Sequence, residues 1–141
     1  MVGGTYSGYV VEWDTRVGAK PIKRTSIATA GHSQPIYSLA VVGTSASRNI
    51  VSLSNDGHLC IWSMEMLNAP QTHFDLRYSA LSPESSAEAK SSSAPLEIAA
   101  NCMVFPEEET NNFYVGSVDG NIYHSQLHPK KSYDENVVAQ F

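Results

Sequence analysis

The stretch Ile50–Ser63, IVSLSNDGHLCIWS, decides the fold. It reads as two short β-forming runs joined by Asn55-Asp56-Gly57, a turn sequence in which glycine supplies the positive φ that a tight hairpin demands. Two shorter echoes flank it: GGTYSGYVVEWD over Gly3–Asp14 and VGSVDGNIYHSQ over Val115–Gln126. The chain is a tandem array of one β unit.

Aligning the three copies on their turns gives the unit its content. Ser7-Gly8, Asp56-Gly57 and Asp119-Gly120 coincide; three residues after the first member come Val10, Leu59 and Ile122. Six residues after it come Trp13, Trp62 and, in the third copy, Ser125. The copies start 49 residues (7 to 56) and 63 residues (56 to 119) apart. A self-similar period of roughly 40–45 residues with Gly-His and Trp-Asp signals marks a four-stranded propeller blade. The longer intervals here call for insertions. The expected fold is therefore all-β, a partial WD40-type β-propeller with about two full four-stranded antiparallel blades plus part of a third.

Outward from the central hairpin, residues 1–30 read as the end of one blade. Val2–Tyr6 and Tyr9–Trp13 form its hairpin, and Ile22–Ile27 its outer strand. Residues 31–78 read as a complete blade with strands Ile36–Val42, Asn49–Ser54, His58–Met64 and Thr72–Tyr78. Val51 and Leu53 on one face, with Cys60 and Trp62 on the other, make this sheet apolar on both sides, as expected of a sheet stacked between two others. Residues 79–95, rich in Ser, Ala and Glu, break the pattern and read as a flexible inserted loop; a short helix over 83–90 is the alternative. Serines at Ser82 and Ser91–Ser93 are candidate phosphorylation sites, although serine-rich loops are common without that role. Residues 96–141 supply a further blade with strands Leu96–Phe105, Asn112–Ser117, Asn121–Leu127 and Asn136–Phe141.

Composition narrows the function. The 141 residues carry a formal net charge of −5, with 9 Lys and Arg against 14 Asp and Glu. A nucleic-acid binder would show a basic face, and none is apparent. The longest apolar run, Leu39–Val42, is far too short to span a bilayer, and Met1–Gly8 lacks the basic and apolar segments of a signal peptide. Cys60 and Cys102 lack CxxC spacing and lie among apolar residues, so a reducing compartment with buried thiols is expected.

Ser52, His32 and Asp56 invite a catalytic-triad reading. A nucleophile needs exposure on a strained turn and an oxyanion hole, yet Ser52 falls inside a strand with no GxSxG elbow. Of His32, His58, His73, His124 and His128, only His124 and His128 have a ligand-like spacing. Pro129 and the β pattern argue against the helix that would align them, so no metal or other cofactor is expected. Glu107–Glu109 reads as a solvated turn and Lys130-Lys131 as too small for a phosphate site. Gly3-Gly4 and Gly116 read as points of close packing.

The spacing of Gly31-His32, Ser52, Asp56 and Trp62 resembles the structural tetrad of the WD-repeat family. That resemblance implies that the aspartate orients the histidine, the histidine bonds the serine hydroxyl, and the hydroxyl accepts the indole N–H, every member being buried. Ser63 stands where the family has the second letter of WD. The first copy has Trp13-Asp14 but Ser7 at the turn. The third keeps Asp119-Gly120 but has Val115 and Ser125 where Ser and Trp are wanted. The wording between repeats is more specific. GGTYSGYVVEWDTR, HSQPIYSLAVVGT, SLSNDGHLCIWSMEMLNAPQ and NNFYVGSVDGNIY together resemble the C-terminal propeller of the dynein intermediate chain family, of the cytoplasmic type, over most of Gly3–Tyr123. The resemblance implies a non-catalytic docking module that binds a dynein heavy chain tail in the microtubule-associated complex of the cytoplasm. Binding of other dynein subunits is implied only for regions absent from this chain. The repeat signature alone also admits an adaptor for another assembly, such as a ubiquitin-ligase substrate receptor or a peptide-binding propeller. Loops at Thr15–Lys20 and Asn68–His73 are the candidate contact sites. Too few blades for closure lead to the expectation of a fragment that is oligomeric or poorly folded by itself.

Overall fold

The computed structural model describes residues 1–26, 31–44, 47–78, 96–107 and 109–128, together with the backbone of a strand at 139–140. All regular structure among these residues is β. The middle sheet runs in the order β4 (Ile36–Gly43), β5 (Arg48–Ser54), β6 (His58–Ser63) and β7 (Thr72–Asp75), every neighbour antiparallel. Before it lies a three-stranded sheet of β1 (Val2–Gly4), β2 (Val10–Glu12) and β3 (Lys23–Arg24). After it comes a four-stranded sheet of β10 (Ala100–Val104), β11 (Asn112–Ser117), β12 (Ile122–Gln126) and β13 (Ala139–Gln140).

The glycine turns behave as their sequences dictate. The loop between β5 and β6 has three residues, and Gly57 closes it at φ 79° while its N–H donates to the Ser54 carbonyl at 3.0 Å. Gly8 (φ 81°) and Gly120 (φ 83°) repeat this geometry with Thr5 and Ser117. A side-chain-bearing residue pays for such a φ, which is why glycine recurs at this one offset. Downstream of each turn the register is fixed: Leu53 faces Leu59 and Ile50 faces Trp62 across one hairpin, while Gly116 faces Ile122 across the other.

Alternation along the middle strands divides the core into two layers. Ile50, Cys60 and Trp62 point toward the first sheet and pack with Val10, Ile36 and Leu67. Val51, Leu53, Leu59 and Ile61 point toward the third sheet, where Phe113, Val115 and Tyr123 meet them. Gly4 marks how closely the first two sheets approach, since a Cβ there would lie 2.5 Å from Ile36 Cγ2. Sheets covered on both faces carry apolar residues on both, and the middle sheet does so.

Several elements differ from the sequence expectation. The strand expected over Thr72–Tyr78 is interrupted at Leu76. That residue is fully buried, and its N–H leaves the sheet edge to bond the Gly57 carbonyl at 2.9 Å. Beyond it, β8 (Arg77–Tyr78) pairs with β9 (Leu96–Glu97) as a separate two-stranded ribbon, so the strand expected over Leu96–Phe105 is also split. The outer strand expected over Ile22–Ile27 shrinks to β3. There Thr25 turns inward, its Oγ1 accepting from the Val10 N–H at 3.0 Å, and Ile27 lies outside the described residues. Cys102 is exposed rather than buried, because among the described residues no sheet stands against the face of the third sheet that carries it. The inserted stretch 79–95, with its alternative helix and its candidate serines, lies outside the described residues, as do Lys130 and Lys131. No helix among the described residues is long and apolar enough to cross a membrane.

Candidate functional site

The chemistry-bearing side chains converge on the first-sheet side of the central hairpin. His32 arrives on the segment entering β4, Ser52 and Ser54 project from alternate positions of β5 onto one face, and Trp62 sits near the end of β6. The Trp62 Nε1–H donates to Ser52 Oγ at 2.8 Å. Ser52 Oγ lies 2.6 Å from His32 Nε2, and His32 Nδ1 lies 2.9 Å from Ser54 Oγ. Ser54 Oγ in turn donates to Asp56 Oδ1 at 2.5 Å, with the His58 carbonyl a second acceptor at 3.1 Å. Asp56 Oδ1 also accepts the His58 N–H at 3.3 Å, which fastens the turn.

Two features depart from the expected tetrad. Asp56 does not bond His32; the hydroxyl of Ser54 stands between them and relays the contact. Asp56 is exposed at the rim instead of buried, so the network runs from the interior to solvent. Ser54 is not among the sequence candidates, because serine is frequent in turns. The signal was an imidazole with two ring nitrogens to satisfy, and two serines at positions 52 and 54 of one strand face.

Donor inventory orders the protons. Indole N–H can only donate, and an ionised carboxylate can only accept. Trp62 therefore donates to Ser52, Ser52 to His32 Nε2, His32 Nδ1–H to Ser54, and Ser54 to Asp56. Every proton points outward, and His32 is the neutral Nδ1–H tautomer. Burial, with His58 adding to it and Asp56 partly opposing, pushes the His32 pKa down from 6.5 to about 4, in keeping with a neutral ring. Burial, helped by the Asp56 and Asp75 carboxylates, pushes the neighbouring Cys60 thiol up to about 12, so it stays protonated.

The Ser52–His32 pair has the distance of a nucleophile and its base, but Ser52 has no solvent-accessible surface and its oxygen already accepts the indole N–H. A substrate carbonyl has no path to it. What the cluster can do is lock β5, β6 and the entry segment of β4 together, since removing one member leaves others buried without partners.

Above it at the rim, His58 Nδ1 lies 2.6 Å from Asp75 Oδ1 across paired strands, and Arg77 approaches Asp75 Oδ2 at 3.5 Å. Among the described residues no three His, Cys, Asp or Glu side chains are grouped to hold a metal ion. The other signature residues occupy equivalent places without a polar cluster. Trp13 is half-buried beside Gly3, and Asp14 is half-buried too, its carboxyl held low by the Arg16 side chain and backbone N–H. At the third turn the Asp119 N–H donates to Ser117 Oγ at 3.3 Å, so the serine caps the turn. At the position of Ser52 the third sheet has Val115, fully buried, so no equivalent serine stands there, and this sheet meets the middle one through apolar contacts and through Ser38 Oγ, which accepts the Met103 N–H at 3.0 Å.

Stacked antiparallel sheets with Asp-Gly turns and a buried His–Ser–Trp chain define a WD-type β-propeller, of which this chain forms a part. The shape agrees: the β-propeller domain of Myceliophteria thermophila Cps50 (Swd1) superposes with a TM-score of 0.60 at 13% identity, over 99% of this chain and 34% of that one. No protein-family model matches the chain. In sequence it is 40% identical over 133 residues to the cytoplasmic dynein 1 intermediate chain of Drosophila melanogaster. The chain belongs with the dynein intermediate chains, matching over 94% of its own length and spanning 18% of that relative's.

Proposed function

We propose that the chain is a non-catalytic docking portion of a cytoplasmic dynein motor complex, contributing WD-repeat surface that binds a dynein heavy chain. The observation that carries this reading is the identity of 40% sustained across 94% of the chain, turns and connecting segments included. The physical role fits a rigid platform. The polar chain that holds His32, Ser52, Ser54 and Trp62 is inaccessible to substrate and stiffens a blade, while loops at its ends face solvent. Within that role the His32–Ser52–Asp56–Trp62 set is structural, and the loops at Thr15–Lys20 and Asn68–His73 are the contact candidates. Microtubule-based transport in the cytoplasm is the corresponding process. The test is affinity capture of the tagged full-length protein from cell extract. Recovery of dynein heavy chain, lost when Arg16 and Lys20 in one loop and His73 in the other are replaced by Glu, is the expected result. A folded protein that captures a different assembly and no heavy chain would replace this reading with an adaptor for that assembly.

A further inference from the structure

A groove crosses the joint between the first and middle sheets at the ends opposite the glycine turns, where Asn49 faces Ser63 at the far end of the central hairpin. It consists of two adjoining clefts. One, of about 590 Å³, lies between the start of β5 and the β6–β7 loop and is lined by Arg48, Asn49, Ser63 and Gln71. The other, of about 340 Å³, lies between β3 and the same loop and is lined by Ile22, Arg24, Met66 and Leu67. Glu65 lines both, so the order of charges along the groove is Arg48, Glu65, Arg24. Both walls belong to sheets that pack on each other through Val10, Ile36 and Trp62.

The shape is set before anything binds. Leu67 is 2% exposed and anchors the floor in that shared core. Lys23 Nζ donates to the Met64 carbonyl at 3.1 Å and lies 3.4 Å from Glu12 Oε2, which fastens β3 to the β6–β7 loop. A preformed groove spares its ligand the cost of ordering it. The charges along it are unspent: Arg48, Glu65 and Arg24 are exposed, and among the described residues none of them forms an ion pair. The Arg24 guanidinium stacks on the Tyr9 ring at 4.7 Å, which leaves its N–H edge open to a carboxylate. Ile22 and Met66, 47% and 64% exposed, add apolar surface at the Arg24 end. The side-chain amides of Asn49 and Gln71 line the other end, where they can pair with a peptide backbone.

We propose that the groove binds an extended segment of a partner protein in which a basic residue stands between two acidic ones, with a large apolar residue beside the acid that meets Arg24. The acids pair with Arg48 and Arg24, and the base pairs with Glu65. Residues 1–54 hold five basic side chains (Arg16, Lys20, Lys23, Arg24 and Arg48) against two acidic ones (Glu12 and Asp14), so an acidic segment is drawn to this part of a chain whose net charge is −5. The inference rests on the groove alone and is independent of the heavy-chain role.

Fluorescence anisotropy with labelled peptides tests it. Each peptide carries Glu, Lys and Glu separated by one, two or three serines, with a leucine at both ends; controls carry Lys, Glu and Lys at the same spacings. At low ionic strength, one Glu–Lys–Glu spacing binds the chain at least about tenfold tighter than its control, because three exposed pairs turn from repulsion to attraction. Added salt weakens that binding. Arg24→Glu, Glu65→Lys and Arg48→Glu together invert the preference. If the triple variant does not fold, Glu65→Lys alone decides, since it favours Glu–Glu–Glu over Glu–Lys–Glu. No binding at any spacing, equal binding of the two charge patterns, or a folded variant that keeps the wild-type preference overturns the proposal.

Discussion

Acidification is expected to unlock the central blade through one residue. His32 is 1% exposed, spends both ring nitrogens on serine hydroxyls, and titrates at about 4 instead of 6.5. The folded state holds it neutral, whereas the unfolded chain takes up a proton below pH 6.5, so the unfolded state binds more protons across that interval. The stabilisation is fully present above pH 6.5 and is lost progressively as pH falls toward 4. A depression of that size at about 1.4 kcal/mol per pH unit amounts to roughly 3 kcal/mol, a large share of the 5–15 kcal/mol typical of a domain. Urea unfolding followed by tryptophan fluorescence from pH 7.5 to 4.5, for the wild type and for His32→Gln, isolates this contribution. The wild-type curve falls steeply with acid, and the variant starts lower and falls less. Parallel curves would refute the reasoning, as would an NMR titration that places His32 near 6.5.

Two further expectations concern the same blade. Ser54→Ala removes the relay between His32 and Asp56 and leaves the buried Nδ1–H without its acceptor. A loss of about 1–3 kcal/mol is expected, and it exceeds that of Asp56→Ala because Asp56 is exposed; equal losses in urea unfolding would contradict the relay. Gly57→Ala and Gly120→Ala share a positive φ, a cost of roughly 1–2 kcal/mol each. Only Gly57 also meets a carbonyl, at 2.6 Å, so its variant melts lower; equal melting temperatures would mean that the Ile98 segment yields without cost.

Much of this architecture is legible in the residues, for identifiable reasons. Asp-Gly and Ser-Gly at one offset set the three turns, and once a turn is set, period-two alternation assigns each side chain a face. That is why Val51 and Trp62 can be placed on opposite faces without coordinates. The misses have physical causes too. The break at Leu76 arises because its N–H finds the turn carbonyl of Gly57, a tertiary bond that local propensity does not encode. Cys102 reads as a core residue by its neighbours, but burial depends on whether another sheet stands against it. Histidine, serine, aspartate and tryptophan announce the polar cluster by spacing. Ser54 gives no such signal until the imidazole's second nitrogen is asked for a partner.

The ribbon of β8 and β9 has a consequence for engineering and for sequence drift. Arg77 pairs with Glu97 and Tyr78 with Leu96, so the two ends of the intervening seventeen positions are held side by side by backbone bonds that belong to neither large sheet. Whatever joins Tyr78 to Leu96 can change in length or content without shifting the register of β7 or β10. The ribbon is thus a port, a place where a reporter or a tether can be spliced into the chain while the blades on both sides keep their alignment.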